Sequence, residues 1–290
     1  MINSSAGRLY VVATPIGNLG DLSARARDIL QSSALIAAED TRHTGALLKH
    51  CGIHTPMVSL HEHNELERTP DLVARMRAGA AIALVSDAGT PGISDPGFGL
   101  VRAAAAAGLA VTAIPGPCAA VAALSIAALP TDRFCFEGFL PARSAARRAR
   151  LEELASEPRT LVFYESPHRV HGMLEDCAGS FGPTRLAAVA REITKLHETV
   201  YHGSLEELAR RAGAEADFSR GEIVVVIAGA PPAERAAAGA DGHGGALDRA
   251  LKPLLAELPL KQAARLAALI AAVRDNEAYR RALELKQQAT

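Results

Sequence analysis

Glu192 and Lys195 stand three positions apart in Ala190-Arg-Glu-Ile-Thr-Lys195, directly after a strand-like run that would display them at its end. A carboxylate and an amine so placed can accept or orient a proton for a reacting group. The same spacing also suits a surface ion pair. Asp87 is a second candidate: it ends an apolar run and opens Ser86-Asp-Ala-Gly-Thr-Pro-Gly-Ile-Ser-Asp-Pro-Gly97, with three glycines and two prolines in one loop. Two further loops share this character, Thr14-Pro-Ile-Gly-Asn-Leu-Gly20 and Pro115-Gly-Pro-Cys-Ala119. Glycine lets backbone groups approach a ligand, and proline fixes the path so that little entropy is lost on binding. None of the three is a G-x-G-x-x-G or Walker sequence, and Asp87 would repel a pyrophosphate. The loops therefore favour a ligand presenting amines, hydroxyls or a cation.

His61-Glu-His63 offers two imidazoles on a short segment but no third ligand nearby, so substrate contact by His61, His63 and Asn64 is expected and a metal is not. Glu39-Asp-Thr-Arg42 reads either as a buried charge network or as a place where Arg42 meets a phosphate or base. Four cysteines, at 51, 118, 135 and 177, form no C-x-x-C pair and fit reduced thiols.

The elements that must position these groups alternate. Strand-like Leu9–Ala13, Ala81–Val85 and Ala110–Ile114 are each followed by a helical pattern, at Asp21–Ser32, Gly97–Ala107 and Pro117–Ala128, as in a parallel sheet with crossover helices. Each punctuated loop then lies at a strand's carboxyl end, where open α/β sheets bind ligands. Runs at Phe134–Phe139, Thr160–Glu165, Leu186–Ala190, His197–His202 and Glu222–Ala228 include neighbours with little helix between them, as in a mixed sheet. A boundary is expected near Pro115-Gly116-Pro117, and small residues over 230–245 read as a flexible linker. Beyond it, Lys261–Val273 and Glu277–Leu285 are helical patterns. The expected organisation is residues 1–115, 116–230 and 246–290: two α/β domains, the first with a parallel and the second with a mixed sheet, and a small C-terminal helical domain.

At 290 residues, with 49% hydrophobic residues and no apolar run long enough to cross a bilayer, the chain reads as a soluble globular protein. Met1-Ile-Asn-Ser-Ser-Ala-Gly lacks the pattern of a secretory signal, so a cytoplasmic location is expected. The net charge of −1 argues against a histone-like polyanion binder but leaves room for a local basic patch. Arg143, Arg147, Arg148 and Arg150 supply one, with Arg133 upstream; a solvated helix face explains them equally well.

Ala13-Thr-Pro-Ile-Gly-Asn-Leu-Gly-Asp-Leu22, Ala38-Glu-Asp-Thr-Arg-His-Thr44, Val85–Gly97, Pro115-Gly-Pro-Cys118 and Phe163-Tyr-Glu-Ser-Pro-His-Arg169 together resemble the 16S ribosomal RNA cytidine 2′-O-methyltransferases, a branch of the tetrapyrrole-methylase-like enzymes that use S-adenosyl-L-methionine (SAM). The likeness runs from about residue 8 to about residue 229. It implies SAM in a cleft between two α/β domains, held by Thr14, Pro15, Ile16, Ser86, Asp87, Ala88, Ile93, Cys118, Ala119, Tyr164, Ala190 and Arg191. It implies methyl transfer to a cytidine ribose 2′-hydroxyl in the decoding centre of the small ribosomal subunit, with Glu192 and Lys195 as the catalytic pair. Arg42, His61, His63, Asn64, Arg143, Arg147 and Arg148 are then expected on the RNA, and the family implies a homodimer. Two other classes remain open: a SAM enzyme acting on a small molecule such as a tetrapyrrole, and a non-enzymatic RNA-binding protein. In the C-terminal piece, Leu266, Leu269, Ile270 and Val273 should form an apolar face covered by Tyr279 and Leu283, leaving Lys261, Arg265, Arg274, Arg280 and Arg281 for phosphates.

Overall fold

The computed structural model describes residues 7–231, 247, 248, 250–271 and 273–288. Most of the expected linker, residues 232–245, lies outside the described residues. Two compact units divide the chain: Met1–Glu152 with Thr160–Ala228, and Glu153–Arg159 with Gly229–Thr290.

The first unit holds two five-stranded sheets. Strands β1 (Arg8–Val12), β2 (Leu35–Ala38), β3 (Met57–Ser59), β4 (Ala81–Val85) and β5 (Ala110–Ile114) line up in the order β3-β2-β4-β1-β5, all parallel. Alternate residues of these strands serve two cores, as the two-residue repeat of a strand requires. Tyr10, Val12, Ile36, Ala38, Ala83 and Val85 pack with Ile29, Leu30 and Leu48 of helices α1 (Ala24–Ser32) and α2 (Thr41–Cys51). Leu9, Leu35, Ala37, Ile82 and Leu84 pack on the other face with Leu72, Met76 and Leu100 of α3 (Glu65–Arg77) and α4 (Phe98–Ala106). Helices on both faces explain why these strands read as continuous apolar runs.

The second sheet is mixed, as expected. Strands β6 (Phe134–Phe139), β7 (Thr160–Glu165), β8 (Leu186–Arg191), β9 (Thr199–Ser204) and β10 (Ile223–Ile227) take the order β6-β7-β10-β8-β9, with β6 and β7 parallel and the other pairs antiparallel. Helix α5 (Ala119–Ile126) lays Ala120, Ala123 and Leu124 on Val162, Ala188, Ala190, Val224 and Val226. Ile16, from the loop after β1, joins that same core, so the first loop ties the two sheets together. Helices α6 (Ser144–Leu154), α7 (Val170–Phe181) and α8 (Leu205–Ala214) complete the series.

In the second unit helical residues 247, 248 and 250–257 (α9) precede α10 (Leu260–Ala271) and α11 (Asp275–Gln288). The expected apolar face is corrected here. Ala263, Ala264, Ala267, Ala268, Ala278 and Ala282 are buried with Leu247 and Leu251, whereas Leu269 and Ile270 are exposed, and Leu266, Tyr279 and Leu283 only partly covered. Alanine permits close helix approach, so the small-residue stripe is the buried one; of the expected four only Val273 packs against that core. Arg281 is also engaged, in ion pairs at 2.7 Å to Asp248 and to Glu284. Lys261, Arg265, Arg274 and Arg280 are exposed.

Candidate active site

The three punctuated loops fasten to one another. Thr14 and Gly89 exchange backbone hydrogen bonds, Thr14 N–H to Gly89 O at 2.8 Å and Gly89 N–H to Thr14 O at 3.1 Å. The Thr14 hydroxyl donates to Ser86 O at 3.3 Å. Thr90 Oγ1 donates to Pro117 O at 2.9 Å, joining the second loop to the third. Glycine is required where these backbones meet: a Cβ on Gly116 would lie 2.9 Å from that of Ala13.

Beside this junction lies a cavity of about 350 Å³, within the usual range of small-molecule sites. Six of the expected cofactor residues line it, Ile16, Ala88, Ile93, Cys118, Ala119 and Tyr164, and Ile193 and Val224 bring the second sheet to its wall. The Tyr164 hydroxyl accepts the Ala120 N–H at 3.2 Å, and burial, then the neighbouring Cys118, raise its pKa far above the ordinary phenol value. Phe136 and Phe139 meet the Tyr164 ring edge-on at 4.9 and 5.7 Å, fixing its plane.

The other six do not line the cavity; they hold what does. Thr14 and Ser86 make the loop contacts above, with Pro15 between Thr14 and Ile16. Asp87 Oδ1 accepts the Asp40 N–H at 3.0 Å, and the Asp87 N–H donates to Glu39 Oε2 at 3.2 Å, so Asp87 stitches the end of β4 to the end of β2. Ala190 belongs to the core under α5. Arg191 is buried, donating to the carbonyls of Arg220 at 2.9 Å and His197 at 3.1 Å, and so braces the β8–β9 turn from behind.

Several lining residues are absent from the sequence-based candidates, and one of them is a half-buried carboxylate. Asp95 closes the second loop, reaches the cavity beside Ser94 and Thr90, and has its pKa pushed up to about 6 by burial and then by the Glu39 and Asp87 carboxylates, against a hydrogen bond from Ser86. A second Ser-Asp pair in the same loop is the signal that points to it. Glu39 is also raised, by burial first.

Glu192 and Lys195 form an ion pair at 2.9 Å, and Lys195 reaches Glu222, a lining residue, at 3.1 Å. Glu192 Oε1 also accepts the Glu222 N–H at 2.8 Å. Burial works against charge on both. The hydrogen bonds prevail, holding Glu192 below and Lys195 above their ordinary values. Lys195 is therefore an ammonium at neutral pH and not a base, which corrects one role open to it; Glu192 is an ionised acceptor. The turn carrying them is strained, with positive φ at Glu192 (52°) and Thr194 (68°).

None of the expected RNA contacts lines the cavity. Arg42 is exposed and paired with Asp40 at 2.7 Å. Asn64 amide nitrogen lies 3.1 Å from His61 Nε2, and Asn64 Oδ1 accepts the His61 N–H at 2.9 Å, so these two build the turn into α3. His63 packs edge-on beside His61, with ring centroids 6.1 Å apart. Arg143 and Arg148 face solvent, Arg148 lying 3.5 Å from Asp176. Arg147 is a correction: it is buried, 2.7 Å from Asp176 and bonded to Gly172 O, which a phosphate contact would have to break. Among the described residues no group of His, Cys, Asp or Glu is placed to hold a metal ion, and no helix is long and apolar enough to cross a membrane.

Two α/β layers meet at a cavity walled by strand-end loops, and the chain belongs to the tetrapyrrole (corrin/porphyrin) methylases, whose family model matches residues 8–209. A second model, described as the RsmI C-terminal HTH domain, matches residues 241–286. Relatives narrow the likeness. A Pseudomonas aeruginosa protein named Ribosomal RNA small subunit methyltransferase I is 52% identical over 280 residues, 97% of this chain and 98% of that protein. One of the same name from Escherichia coli O157:H7 is 50% identical over 282 residues, 97% of this chain and 96% of its own. Among solved structures, a uroporphyrin-III C-methyl transferase from Thermus thermophilus complexed with S-adenyl homocysteine shares the fold, with a TM-score of 0.53 at 20% identity over 77% of this chain and 97% of that one.

Proposed function

We propose that this protein is a SAM-dependent methyltransferase of small-subunit ribosomal RNA, and that its acceptor is the ribose 2′-oxygen of a cytidine in the decoding centre of 16S rRNA. The observation that carries the reading is the cavity: three interlocked loops and Tyr164 enclose it in a chain half identical, nearly end to end, to proteins named as small-subunit rRNA methyltransferases. Its chemistry fits SAM. Ile16, Ala88, Ile93, Ala119 and Val224 offer apolar wall, and Asp95 with the hydroxyls of Thr90 and Ser94 offers acceptors for ammonium and ribose groups.

Bound there, SAM would supply a methyl group activated by a sulfonium whose charge is lost on transfer. The apolar lining does not oppose that loss. Proximity and alignment then supply much of the acceleration. A ribose hydroxyl is a poor acid and needs an acceptor as its oxygen attacks. Glu192 is that acceptor, kept ionised by Lys195 and the Glu222 N–H, and the Lys195 ammonium offsets negative charge growing on the oxygen. Arg42, Arg143 and Arg148 hold flanking phosphates, and the 246–290 piece adds Lys261, Arg265, Arg274 and Arg280. A cytoplasmic homodimer, resting on the family resemblance, completes the reading; sedimentation as a monomer across micromolar concentrations would refute the dimer.

The family's described chemistry favours a tetrapyrrole as the second reading. Methyl transfer from labelled SAM separates the two: small ribosomal subunits are expected to be labelled on a cytidine 2′-oxygen and porphyrinoid precursors not, and the reverse would overturn the assignment.

A further inference from the structure

Among the described residues, Asp95 is the one carboxylate of the cavity without a local partner of opposite charge. Three carboxylates line the cavity. Glu165 accepts the Ser166 N–H at 2.7 Å and sits 3.2 Å from Arg169, and Glu222 pairs with Lys195 at 3.1 Å and is largely exposed. Among the described residues no lysine or arginine lines the cavity or pairs with Asp95. A half-buried anion without a counter-ion is costly unless a ligand supplies the charge.

Backbone geometry delivers it there. The second loop leaves β4 at Ser86 and reverses through Gly92 (φ 83°) and Ser94 (φ 64°), two left-handed positions. Ser94 is not glycine, so the reversal carries strain that the surroundings must hold. A Cβ on Gly138 would lie 3.2 Å from Ser94 Oγ, which shows how closely β6 packs on this bend. Asp95 thereby returns to the Ser86 hydroxyl where the loop began.

We propose that Asp95, together with the hydroxyls that flank it, is the subsite for the ammonium of the donor's amino-acid portion. This rests on the reading of the cavity as a SAM site. SAM carries two cationic centres, and the reaction itself tells them apart. A fixed carboxylate against the sulfonium would stabilise the ground state more than the transition state, in which that charge is disappearing, and so would slow transfer. The ammonium keeps its charge throughout and has three donors to satisfy, so a carboxylate placed on it aids binding without opposing chemistry.

The groups facing Asp95 are Glu39 at the end of β2, Asp87 and Ser86 after β4, and Tyr164 on β7 with Cys118 beside it. Burial and then the carboxylates raise its pKa to about 6, so in the free protein the subsite loses its charge just below neutrality. Ligand binding that needs the ionised form weakens as pH falls through that value. With the ionised fraction dropping from about nine-tenths to about one-tenth between about pH 7 and about pH 5, apparent affinity falls roughly tenfold. The ligand's own amine, with a pKa near about 8, stays protonated across this interval.

Calorimetric titration of the full chain tests this with three probes: SAM, S-adenosylhomocysteine, which keeps the ammonium but lacks the sulfonium, and 5′-methylthioadenosine, which lacks the amino-acid portion. Asp95→Asn, with its fold checked by circular dichroism, is expected to weaken SAM and S-adenosylhomocysteine alike by roughly ten- to a hundredfold and to leave 5′-methylthioadenosine within about twofold. Wild-type protein, which needs no variant, is expected to show the tenfold loss of S-adenosylhomocysteine affinity from about pH 7 to about pH 5. A loss confined to SAM would put Asp95 at the sulfonium and overturn the inference. So would an equal loss for all three probes, no loss, or a flat wild-type pH series. Wild-type protein that binds none of the three refutes the SAM reading itself, a result distinct from all of these.

Discussion

Replacing Lys195 with methionine removes the ammonium but keeps an unbranched stem where the lysine methylenes now lie against Gly17, so packing is largely preserved. What goes is the 2.9 Å bond to Glu192 and the 3.1 Å bond to Glu222. Glu222 is 74% exposed, so its share is small. The Glu192 bond is the one that matters, with side chains 25% and 16% exposed. A charge-assisted hydrogen bond in such a setting contributes about 1.5–3 kcal/mol. If it acts in the transition state and not on bound SAM, kcat falls by roughly ten- to a hundredfold while the Kd for SAM stays within about twofold. The pH profile gives an independent readout. Glu192 must be ionised to accept the proton, so activity is lost as pH falls through its pKa, which Lys195 holds below the ordinary 4.5. In Lys195→Met that restraint is gone while burial still opposes the charge, and the acid limb moves to higher pH. Single-turnover methylation of small ribosomal subunits across a pH series measures both effects. Near-normal turnover with an unmoved acid limb would make the pair a surface ion pair and refute the catalytic assignment.

Arg147→Met should destabilise the protein by about 2–4 kcal/mol, because it leaves Asp176, with its side chain only 12% exposed, to Ser144 and the 3.5 Å approach of Arg148; denaturant titration measures it, and unchanged stability with weakened ribosomal-subunit binding would return Arg147 to the RNA. Gly116→Ala drives a Cβ to 2.9 Å from that of Ala13 and should cost about 1–3 kcal/mol with weaker SAM binding, whereas Gly92→Ala, with open space around it at φ 83°, should cost about 1–2 kcal/mol from backbone strain alone. Equally weakened SAM binding in the two variants would mean that close approach between loops is not what Gly116 provides. Joint replacement of Lys261, Arg265, Arg274 and Arg280 by alanine should make the salt dependence of subunit binding shallower, by about 0.7–0.9 in log–log slope for each phosphate no longer neutralised, with SAM affinity unchanged; an unaltered slope would show that this piece does not touch RNA.

The loops are legible in the sequence because glycine and proline mark positions of special backbone geometry independently of tertiary context. Of the strands that feed them, β1 and β4 are legible because burial on both faces leaves continuous apolar runs, and β5, a largely exposed edge strand, because Val111, Thr112 and Ile114 are β-branched. Leu35–Ala38 and Met57–Ser59 are not: at four and three residues, the first half alanine, they carry too little pattern to separate from a helix end. Among the site residues, sequence alone favours Asp87 over Asp95 because Asp87 directly follows a strand. The choice between the two Ser-Asp pairs depends on the reversal at Gly92–Ser94, and nothing local to Ser94 announces a positive φ in a residue that is not glycine. Arg147 and Arg148 are adjacent and chemically identical in sequence; helical rotation alone puts one on Asp176 inside and the other at the surface.

The C-terminal helices show a different limit, with a consequence for function. In α10 an alanine stripe (Ala263, Ala264, Ala267, Ala268) and a larger apolar stripe (Leu266, Leu269, Ile270) run side by side, and periodicity alone gives both equal claim to the core. The helices choose the small stripe because α9 and α11 then approach more closely than leucine would allow. The choice is costly by area, since Leu269 and Ile270 remain 73% and 69% exposed, and burying either would contribute about 1.5–3 kcal/mol. Arg265 is exposed beside these residues and Lys261 one turn before. If the exposed stripe were only a packing compromise, Leu269→Lys with Ile270→Gln should raise solubility and leave ribosomal-subunit affinity unchanged. If it is part of the RNA surface, the added positive charge cannot stand in for the apolar side chains, and affinity should fall even though the electrostatic contribution grows. Filter binding at two salt concentrations distinguishes the cases: a weaker complex with a steeper salt slope supports a place for this stripe on the RNA, and an unchanged complex confines RNA recognition to the charged residues.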